Sequence, residues 1–431
     1  MILEKSLFFT LALISGISLL GCEQEKPKLA ERETVKVGVI YPFTGPNALT
    51  GEDLKAGAEL AKEIINRSFD FTIPLAKGQG LSSHGGAEIQ IIYKDSQSNP
   101  SQAAERVEEL VKEDQVTAVM GCYSSTVTAA ASETAEIMNV PFLNAASTSP
   151  TLTQRGFKWF FRTTPDDDMF AQNFFTFLSD LSENPKMEVP KRLVLVYENR
   201  LWGTSVSRAE RKIAVKYGYE IVADIPYDSK ESRFDEELRR VKLGLPCVIL
   251  QTSYANDAVF FIKGYKAHQI NPAAILGMNA GFISPQFLKS LGADGSYILS
   301  REVWAHDLGR RKPLVNTIND LFKKRFGRNM TGNSARVFTC LITLGDAINR
   351  AHSLEAKKIR EALLGTDIRG EQLIMPWNGV KFDPETGQNI LGRGIIVQVQ
   401  EGEYKTVWPW DFSSKAVIWP MPSWSERGAN K

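Results

Sequence analysis

Short apolar runs typical of β-strands alternate with amphipathic helical stretches along most of this chain of 431 residues. This alternation limits the folds that the chain can adopt. A first series extends from Val35 to Arg162, and a second begins after Pro165 and continues to Leu276. Strict β–α alternation is typical of parallel sheets whose faces are covered by helices. Two successive series therefore predict an α/β fold with two similar, doubly wound parallel-sheet lobes.

The remaining residues do not form a third series. Three helical stretches, Pro313–Phe326, Ala335–His352 and Glu355–Leu364, precede the β-type runs Gly394–Gln400 and Tyr404–Val407. Helices that return to the first lobe and strands that return to the second would make the chain cross between the lobes several times.

Two strands of the first series end in clusters of hydroxyl residues. The runs Val116–Gly121 and Val140–Asn144 lead into Ser124-Ser125-Thr126 and Ser147-Thr148-Ser149, and each cluster is predicted to open a helix. Hydroxyl oxygens and free backbone N–H groups at the positive end of a helix bind anions. The carboxyl ends of parallel strands meet at one sheet edge, so the clusters predict a site for a small anionic or polar head group. Helix capping would explain one such cluster, but two in tandem favour a site.

The aromatic residues near strand ends predict an apolar wall beside that head group, because pockets combine apolar walls with a few polar groups. They are Tyr41, Tyr123, Trp202, Tyr254 and Phe282.

The amino-terminal segment is typical of an exported protein. The run Leu7–Leu20 is apolar and ends in Leu19-Leu20-Gly21-Cys22, which resembles the lipobox of bacterial lipoproteins. This resemblance implies a lipoprotein signal peptide over residues 1–21, lipidation of Cys22, and a tether over residues 22–33. We therefore expect an extracytoplasmic, periplasm-facing protein that is bound to a bacterial membrane only through its lipid anchor.

Composition and motifs argue against several function classes. Lys and Arg number 51 against 50 Asp and Glu, without a basic stripe, so a nucleic-acid partner is not expected. Catalytic serine, phosphate-loop, dinucleotide and zinc-protease motifs are missing from the sequence, and the four histidines lack metal-ligand spacing. We expect no enzyme activity, no cofactor and no metal. Cys122, Cys247 and Cys340 are an odd set that does not indicate a disulfide framework.

A series of motifs resembles the type 1 periplasmic solute-binding proteins of the leucine/isoleucine/valine-binding branch. The motifs are VKVGVIYPFTGPNALTGEDLKAGAELAKEIIN, IQIIYKDSQSNPSQAAERVEELV, GCYSST, VPFLNAASTSPTLTQRGFKWFFRTTPDD and VYENRLWGTSV, within a match that covers roughly Val35 to Val407. The resemblance implies a clamshell whose lobes close on a solute and deliver it to the permease subunits of an ABC importer.

The same resemblance implies where the lobes begin and end. The amino-terminal lobe would comprise residues 34–163 and 304–375, the carboxyl-terminal lobe residues 164–303 and 376–411, and a tail residues 412–431. The crossover segments would lie near Arg162–Pro165, Ser300–Trp304 and Met375–Phe382.

By the resemblance, Ser124 or Ser125 and Thr148 would bind a ligand carboxylate, with backbone contacts from Ala146. The spacing leaves the choice between the two serines open.

From the second lobe, the resemblance implies that Trp202 and Tyr254 cover the ligand. Asn279 stands where relatives that bind α-amino acids carry an acidic residue for the ammonium group. An amide supplies no charge, so this contact is weaker here.

The sequence thus predicts a monomeric solute-binding lipoprotein for an amino acid or a related carboxylate or amide. A receptor subunit that senses a ligand without transporting it is the alternative.

Overall fold

The computed structural model describes residues 34–231 and 233–428. The predicted signal peptide (1–21), the lipidation residue Cys22 and the tether (22–33) lie outside the described residues. Within these residues no helix combines the length and the apolar character needed to cross a bilayer.

The first lobe is built on a parallel sheet of five strands with the order β2-β1-β3-β4-β5. The strands are β1 (Thr34–Tyr41), β2 (Glu88–Asp95), β3 (Ala118–Gly121), β4 (Phe142–Asn144) and β5 (Phe160–Arg162). The helices that alternate with them are α1 (Ala48–Asn66), α2 (Pro100–Lys112) and α3 (Ser125–Ile137). Asn99 caps α2, since its side-chain oxygen accepts the N–H groups of Ser101 and Gln102.

The second lobe repeats this plan. Its strands are β6 (Arg192–Glu198), β7 (Glu220–Tyr227), β8 (Val248–Thr252), β9 (Ala274–Gly277), β10 (Leu299–Glu302), β13 (Ile395–Gln400) and β14 (Glu403–Trp408). The alternating helices are α4 (Asp167–Ser182), α5 (Leu201–Lys216), α6 (Asp235–Leu243), α7 (Ala255–Ala267) and α8 (Pro285–Leu291). The strand order is β14-β13-β10-β9-β8-β6-β7, so β6 to β10 reproduce the order of the first sheet. In the described part of this sheet, β13 pairs antiparallel with both β10 and β14, and the other neighbouring strands are parallel.

Three late helices follow β10, and the second of them packs on α1. They are α9 (Pro313–Phe326), α10 (Gly332–Ala351) and α11 (Ala356–Leu364), and a two-stranded ladder of β11 (Ile368–Arg369) and β12 (Gly379–Val380) follows. Helix α10 packs along α1 so closely that a Cβ atom at Gly57 would lie 2.2 Å from the carbonyl oxygen of Ser334. This close packing fixes the start of α10 against the first sheet.

The segment around Arg162 is joined by hydrogen bonds to the segment around Gln388. The N–H of Arg162 donates to Gly387 O at 2.9 Å, and the N–H of Asn389 donates to Arg162 O at 2.9 Å. The Asn389 side chain adds a 2.9 Å bond to Thr163 O. The two segments therefore form one paired strip.

The carboxyl-terminal tail packs on the second lobe. Met421 and Trp424 belong to its core, and the Trp424 indole N–H donates to Ile270 O at 2.7 Å. The Trp419 indole donates to Glu188 O at 3.0 Å. Trp410, in contrast, is exposed.

The predicted α/β alternation and the two lobes are confirmed, but one expected helix is wrong. The cluster Ser147-Thr148-Ser149 opens only a single 3-10 turn, Pro150–Leu152. A longer helix does not fit because β5 begins at Phe160, and Gly156, with a φ of 72°, turns the chain back towards it.

We expect Arg162→Met to lower the free energy of unfolding by about 3 kcal/mol or more, since the buried guanidinium is the donor for several buried acceptors. Urea denaturation measures the change. The control is Arg239→Met, because Arg239 is exposed and pairs only with exposed Glu236 on its own helix. Equal stability of the two variants would contradict the structural role of Arg162.

Candidate ligand-binding site

A small cavity lies where the strand ends of the two lobes face each other. Its space for the centre of a water-sized molecule is only about 20 Å³, far below the roughly 300–1,000 Å³ of common ligand pockets, so the residues that line it lie close together. The predicted site residues that line it are Ser125, Ala146, Thr148, Trp202, Tyr254 and Asn279. The other lining residues are Tyr123, Ser147, Ala280, Arg301 and Arg336.

The structure distinguishes between the two candidate serines. Ser125, the first residue of α3, is buried and lines the cavity, and its hydroxyl accepts the N–H of Ser149 at 3.3 Å. Ser124 instead lines an adjoining cavity between the lobes, and its side chain makes no capping hydrogen bond. Because the Ser125 oxygen is the acceptor in this bond, its hydroxyl proton is not used by it.

Buried hydrogen bonds hold the two turns of the first lobe together. The Asn144 amide donates to Gly121 O at 2.8 Å and accepts the N–H of Ser147 at 2.9 Å. The Ser147 hydroxyl donates to Tyr123 O at 3.0 Å and contacts Thr128 Oγ1. The turn after β3 and the turn after β4 are therefore positioned as one unit, with Ser125 and Thr148 on the cavity side.

Three aromatic rings cover the cavity. Tyr123 comes from the first lobe, and Trp202 and Tyr254 come from the second. The Tyr254 ring centroid is 5.9 Å from that of Tyr123 and 4.8 Å from that of Trp202, distances at which aromatic pairs attract. The expectation for Tyr41 and Phe282 is wrong: both are fully buried in the cores and do not line the cavity.

A buried carboxylate fixes the turn that carries Trp202. Glu198, at the end of β6, accepts the N–H of Gly203 at 2.7 Å and the N–H of Arg200 at 2.8 Å. Both carboxylate oxygens thus cap the start of α5. Trp202, in the first turn of that helix, is held facing the cavity.

The turn after β9 carries Asn279 in a strained conformation. Asn279 has a φ of 59° and Ala280 a φ of 42°, values that side chains rarely adopt. Gly281 follows, and a Cβ atom there would lie 2.6 Å from the backbone of Tyr254. This close approach places Asn279 and Tyr254 side by side at the edge of the second sheet.

Arg336, near the start of α10, bridges the two lobes across the cavity. Its Nη1 donates to Ala146 O at 3.4 Å, and its Nη2 donates to Asn279 Oδ1 at 3.3 Å. Further bonds to Gly332 O and Asn333 Oδ1 hold the guanidinium in place. A cation is thus fixed beside both halves of the site.

Arg301, in β10, brings a second buried cation to the cavity. Its Nε lies 3.4 Å from Met278 Sδ, its guanidinium stacks over Phe170 at 3.6 Å, and its Nη2 is 3.8 Å from Asp167 Oδ1. Burial lowers the pKa of Arg301 to about 9, although the Asp167 charge opposes this shift. The Nη1 atom is buried without a hydrogen-bond partner among the described residues.

Neither arginine was predicted as a site residue, although Arg336 left a signal in the sequence. It lies in a helix whose first thirteen residues carry no other charge, whereas Arg301 lies beside Glu302 in β10. A single cation in a stretch that is otherwise uncharged and apolar indicates a buried charge with partners inside the protein.

Neither thiol chemistry nor metal binding is supported at the site. Burial raises the pKa of the Cys122 thiol well above its usual range, and Cys122, Cys247 and Cys340 are buried and unpaired. Across the described part of the chain, no group of three His, Cys, Asp or Glu residues could hold a metal ion. The site offers hydroxyls, an amide, two guanidinium groups and aromatic rings.

The comparison with known families agrees with this geometry. The family described as periplasmic binding protein matches residues 34–403. The chain belongs to the periplasmic binding protein family. A curated member, the Leu/Ile/Val-binding protein homolog 7 of Brucella suis, is 27% identical over 387 residues, which cover 87% of this chain and 91% of that protein.

Solved periplasmic binding proteins share the fold. The branched-chain amino acid transporter substrate-binding protein LivJ of Streptococcus pneumoniae, in complex with isoleucine, has a TM-score of 0.71 and 22% identity, and the match covers 90% of this chain and all of that one. An ABC transporter solute-binding protein of R. palustris, in complex with benzoate, has a TM-score of 0.72 and 17% identity over 87% of this chain and 95% of its own.

The buried Asp167 should give the protein a distinctive pH dependence. Burial raises its pKa to about 6 from 3.8, against the charge of Arg301. A carboxyl group whose pKa is raised by folding stabilises the folded state fully below its pKa in the unfolded chain. This stabilisation is lost as pH rises through about 6. In the wild type, this loss should lower the free energy of unfolding by on the order of 2 kcal/mol between about pH 4 and about pH 7. The Asp167→Asn variant should not show this decrease.

Chemical denaturation at fixed pH values measures this slope. Asp383→Asn is the control with the opposite sign, because hydrogen bonds from Thr386 lower the pKa of Asp383. That carboxylate contributes stability above its unfolded pKa and loses it as pH falls. Parallel pH profiles for wild type and Asp167→Asn would contradict the assignment.

Proposed function

We propose that the chain is an extracytoplasmic solute-binding lipoprotein that captures a small polar solute between its lobes and delivers it to the permease subunits of an ABC importer. The solute class is an amino acid or a related carboxylate or amide. Ser125 and Thr148 bind its carboxylate or amide oxygen with contacts from Ala146, and Asn279 meets its other polar end. Trp202 and Tyr254 cover it from the second lobe.

The observation that carries this proposal is the convergence of both lobes on one cavity. Ser125, Ala146 and Thr148 come from the first lobe, and Trp202 and Asn279 come from the second, yet all five line the same small space. A site divided in this way is complete only when the lobes are together, so binding and closure of the lobes are coupled.

The relatives support the solute class. The relatives of similar sequence are named for leucine, isoleucine and valine binding, and solved proteins of similar structure are in complex with isoleucine, leucine or benzoate. Each of these solutes carries a carboxylate and an apolar body. The hydroxyl turns and the aromatic rings of this chain provide partners for these two parts.

We propose the lobe bounds that the sequence predicts. One lobe comprises residues 34–163 and 304–375, and the other comprises residues 164–303 and 376–411. The buried, hydrogen-bonded segments near Arg162 and Gln388 are the places where such lobes would pivot. The protein acts as a monomer.

Replacing both hydroxyls of the carboxylate site should abolish tight binding. Ser125→Ala combined with Thr148→Ala removes two donors that face the cavity, and each lost bond to a charged oxygen costs about 1.5–3 kcal/mol. Affinity should therefore fall by about 100-fold or more, as measured by calorimetry with the solute that mass spectrometry identifies on the purified protein.

Ser124→Ala is the matched control, because this neighbouring hydroxyl faces the adjoining cavity. It should keep wild-type affinity. If the double variant also keeps it, or if Ser124→Ala loses it, the site assignment is wrong.

Membrane attachment rests on Cys22, outside the described residues. Cys22→Ala should move the protein from the membrane fraction to the soluble fraction and end labelling by radioactive palmitate, while solute binding remains. A variant that stays in the membrane fraction would argue against the lipid anchor.

A further inference from the structure

The two cavity arginines determine the charge that a solute meets. The side chains of Arg301 and Arg336 are each only 1% exposed, and both line the cavity. No aspartate or glutamate is among the described residues that line it. Cations that are this deeply buried need anionic or hydrogen-bonding partners.

Arg336 occupies part of the acceptor that a solute ammonium would need. Asn279 Oδ1 can accept two hydrogen bonds, and Arg336 Nη2 donates one of them at 3.3 Å. The Asn279 amide nitrogen donates to Arg301 O at 3.4 Å. An ammonium group placed at Asn279 would share this oxygen with a guanidinium and lie beside a like charge in a buried site.

Arg301, in contrast, has bonding capacity left. Its buried Nη1 has no partner among the described residues, and the 3.8 Å separation of Nη2 from Asp167 is longer than a hydrogen bond. A guanidinium with a free donor at the wall of a cavity is suited to an anionic oxygen.

The buried carboxylates near the cavity are not among the described residues that line it. Asp167 faces Arg301 at 3.8 Å, and Glu198 caps the start of α5. Glu302 accepts the N–H of Val303 at 2.7 Å, and its charge acts on Arg336 and Arg301 from outside the cavity wall. The charged groups that line the cavity itself are therefore the two guanidinium groups.

Resting on the function proposed above, we propose that the bound solute is a small carboxylic acid that carries no ammonium group. Its carboxylate lies at Ser125 and Thr148 within the field of the two guanidinium groups. Its apolar body packs against Trp202 and Tyr254.

Matched pairs of compounds test this inference on the wild-type protein. Leucine and 4-methylpentanoate, phenylglycine and phenylacetate, and alanine and propanoate differ within each pair only by the amino group. In calorimetry, at least one acid should bind, and its amino counterpart should bind at least about 100-fold more weakly. The solute released from the purified protein should likewise lack an amino nitrogen by mass spectrometry.

Variants test whether Arg336 sets this preference. Arg336→Gln keeps a donor for Ala146 O but removes the charge, so the acid-to-amino-acid affinity ratio should fall by about 10-fold or more. Arg350→Gln is the control, because Arg350 lies on the same helix but pairs with Asp346. It also donates to Ala362 O and Thr366 Oγ1, at and just after the end of α11. Should Arg336→Gln fail to fold, Asn279→Asp supplies a carboxylate in its place and should lower the same ratio.

Two results would overturn the inference, and they differ in what else fails. Binding of an α-amino acid as tightly as its deaminated partner would refute the inference and leave the proposed solute-binding function intact. Absence of binding by every acid and every amino acid would refute both. An unchanged affinity ratio in Arg336→Gln or Asn279→Asp would show that the guanidinium does not select the solute.

Discussion

The buried guanidinium of Arg162 links the loop after β4 to the segment around Gln388. Its Nη1 donates to Ser149 O at 2.7 Å, and its Nε donates to Gln388 Oε1 at 2.6 Å. The loop that carries Thr148 is thereby tied to a segment that lies more than 200 residues later in the chain. Ser149 in turn donates to Ser125 Oγ, so the two hydroxyl turns share this anchor. A buried cation is costly to leave unpaired, and the loop therefore keeps one geometry.

Charge balance gives the cavity its chemical character. Arg301 and Arg336 bring two cations into the interior, where Asp167 lies 3.8 Å from Arg301 and the charge of the buried Glu302 acts on both guanidinium groups. The rings of Trp202 and Tyr254 exclude water from this space and strengthen its electrostatic interactions. An anionic solute oxygen would complete the bonding of the cavity wall, so solute and lobe closure stabilise each other.

The sequence predicted the fold well because its pattern is local. Alternation of apolar strands and amphipathic helices needs windows of only ten to twenty residues, and both lobes follow from it. The hydroxyl turns were found for the same reason, since Ser125 and Thr148 each lie four residues after the end of a strand. The helix expected at Pro150 failed because the spacing to β5, a tertiary demand, overruled the capping pattern. Tyr41 and Phe282 were misassigned because proximity to a strand end does not say which face a side chain takes.

By itself, the sequence determined the order of elements, the two-lobed α/β class and the hydroxyl half of the site. Only the tertiary structure placed Ser125 rather than Ser124 in the wall of the small cavity, because that placement depends on how α3 is rotated against the loop after β4. It alone also brought Arg336 to Ala146, across a separation of 190 residues. Hydrophobic periodicity records which side of an element is buried, but not which distant element will meet it there. The charge of the cavity therefore depends on contacts between elements that are distant in the sequence.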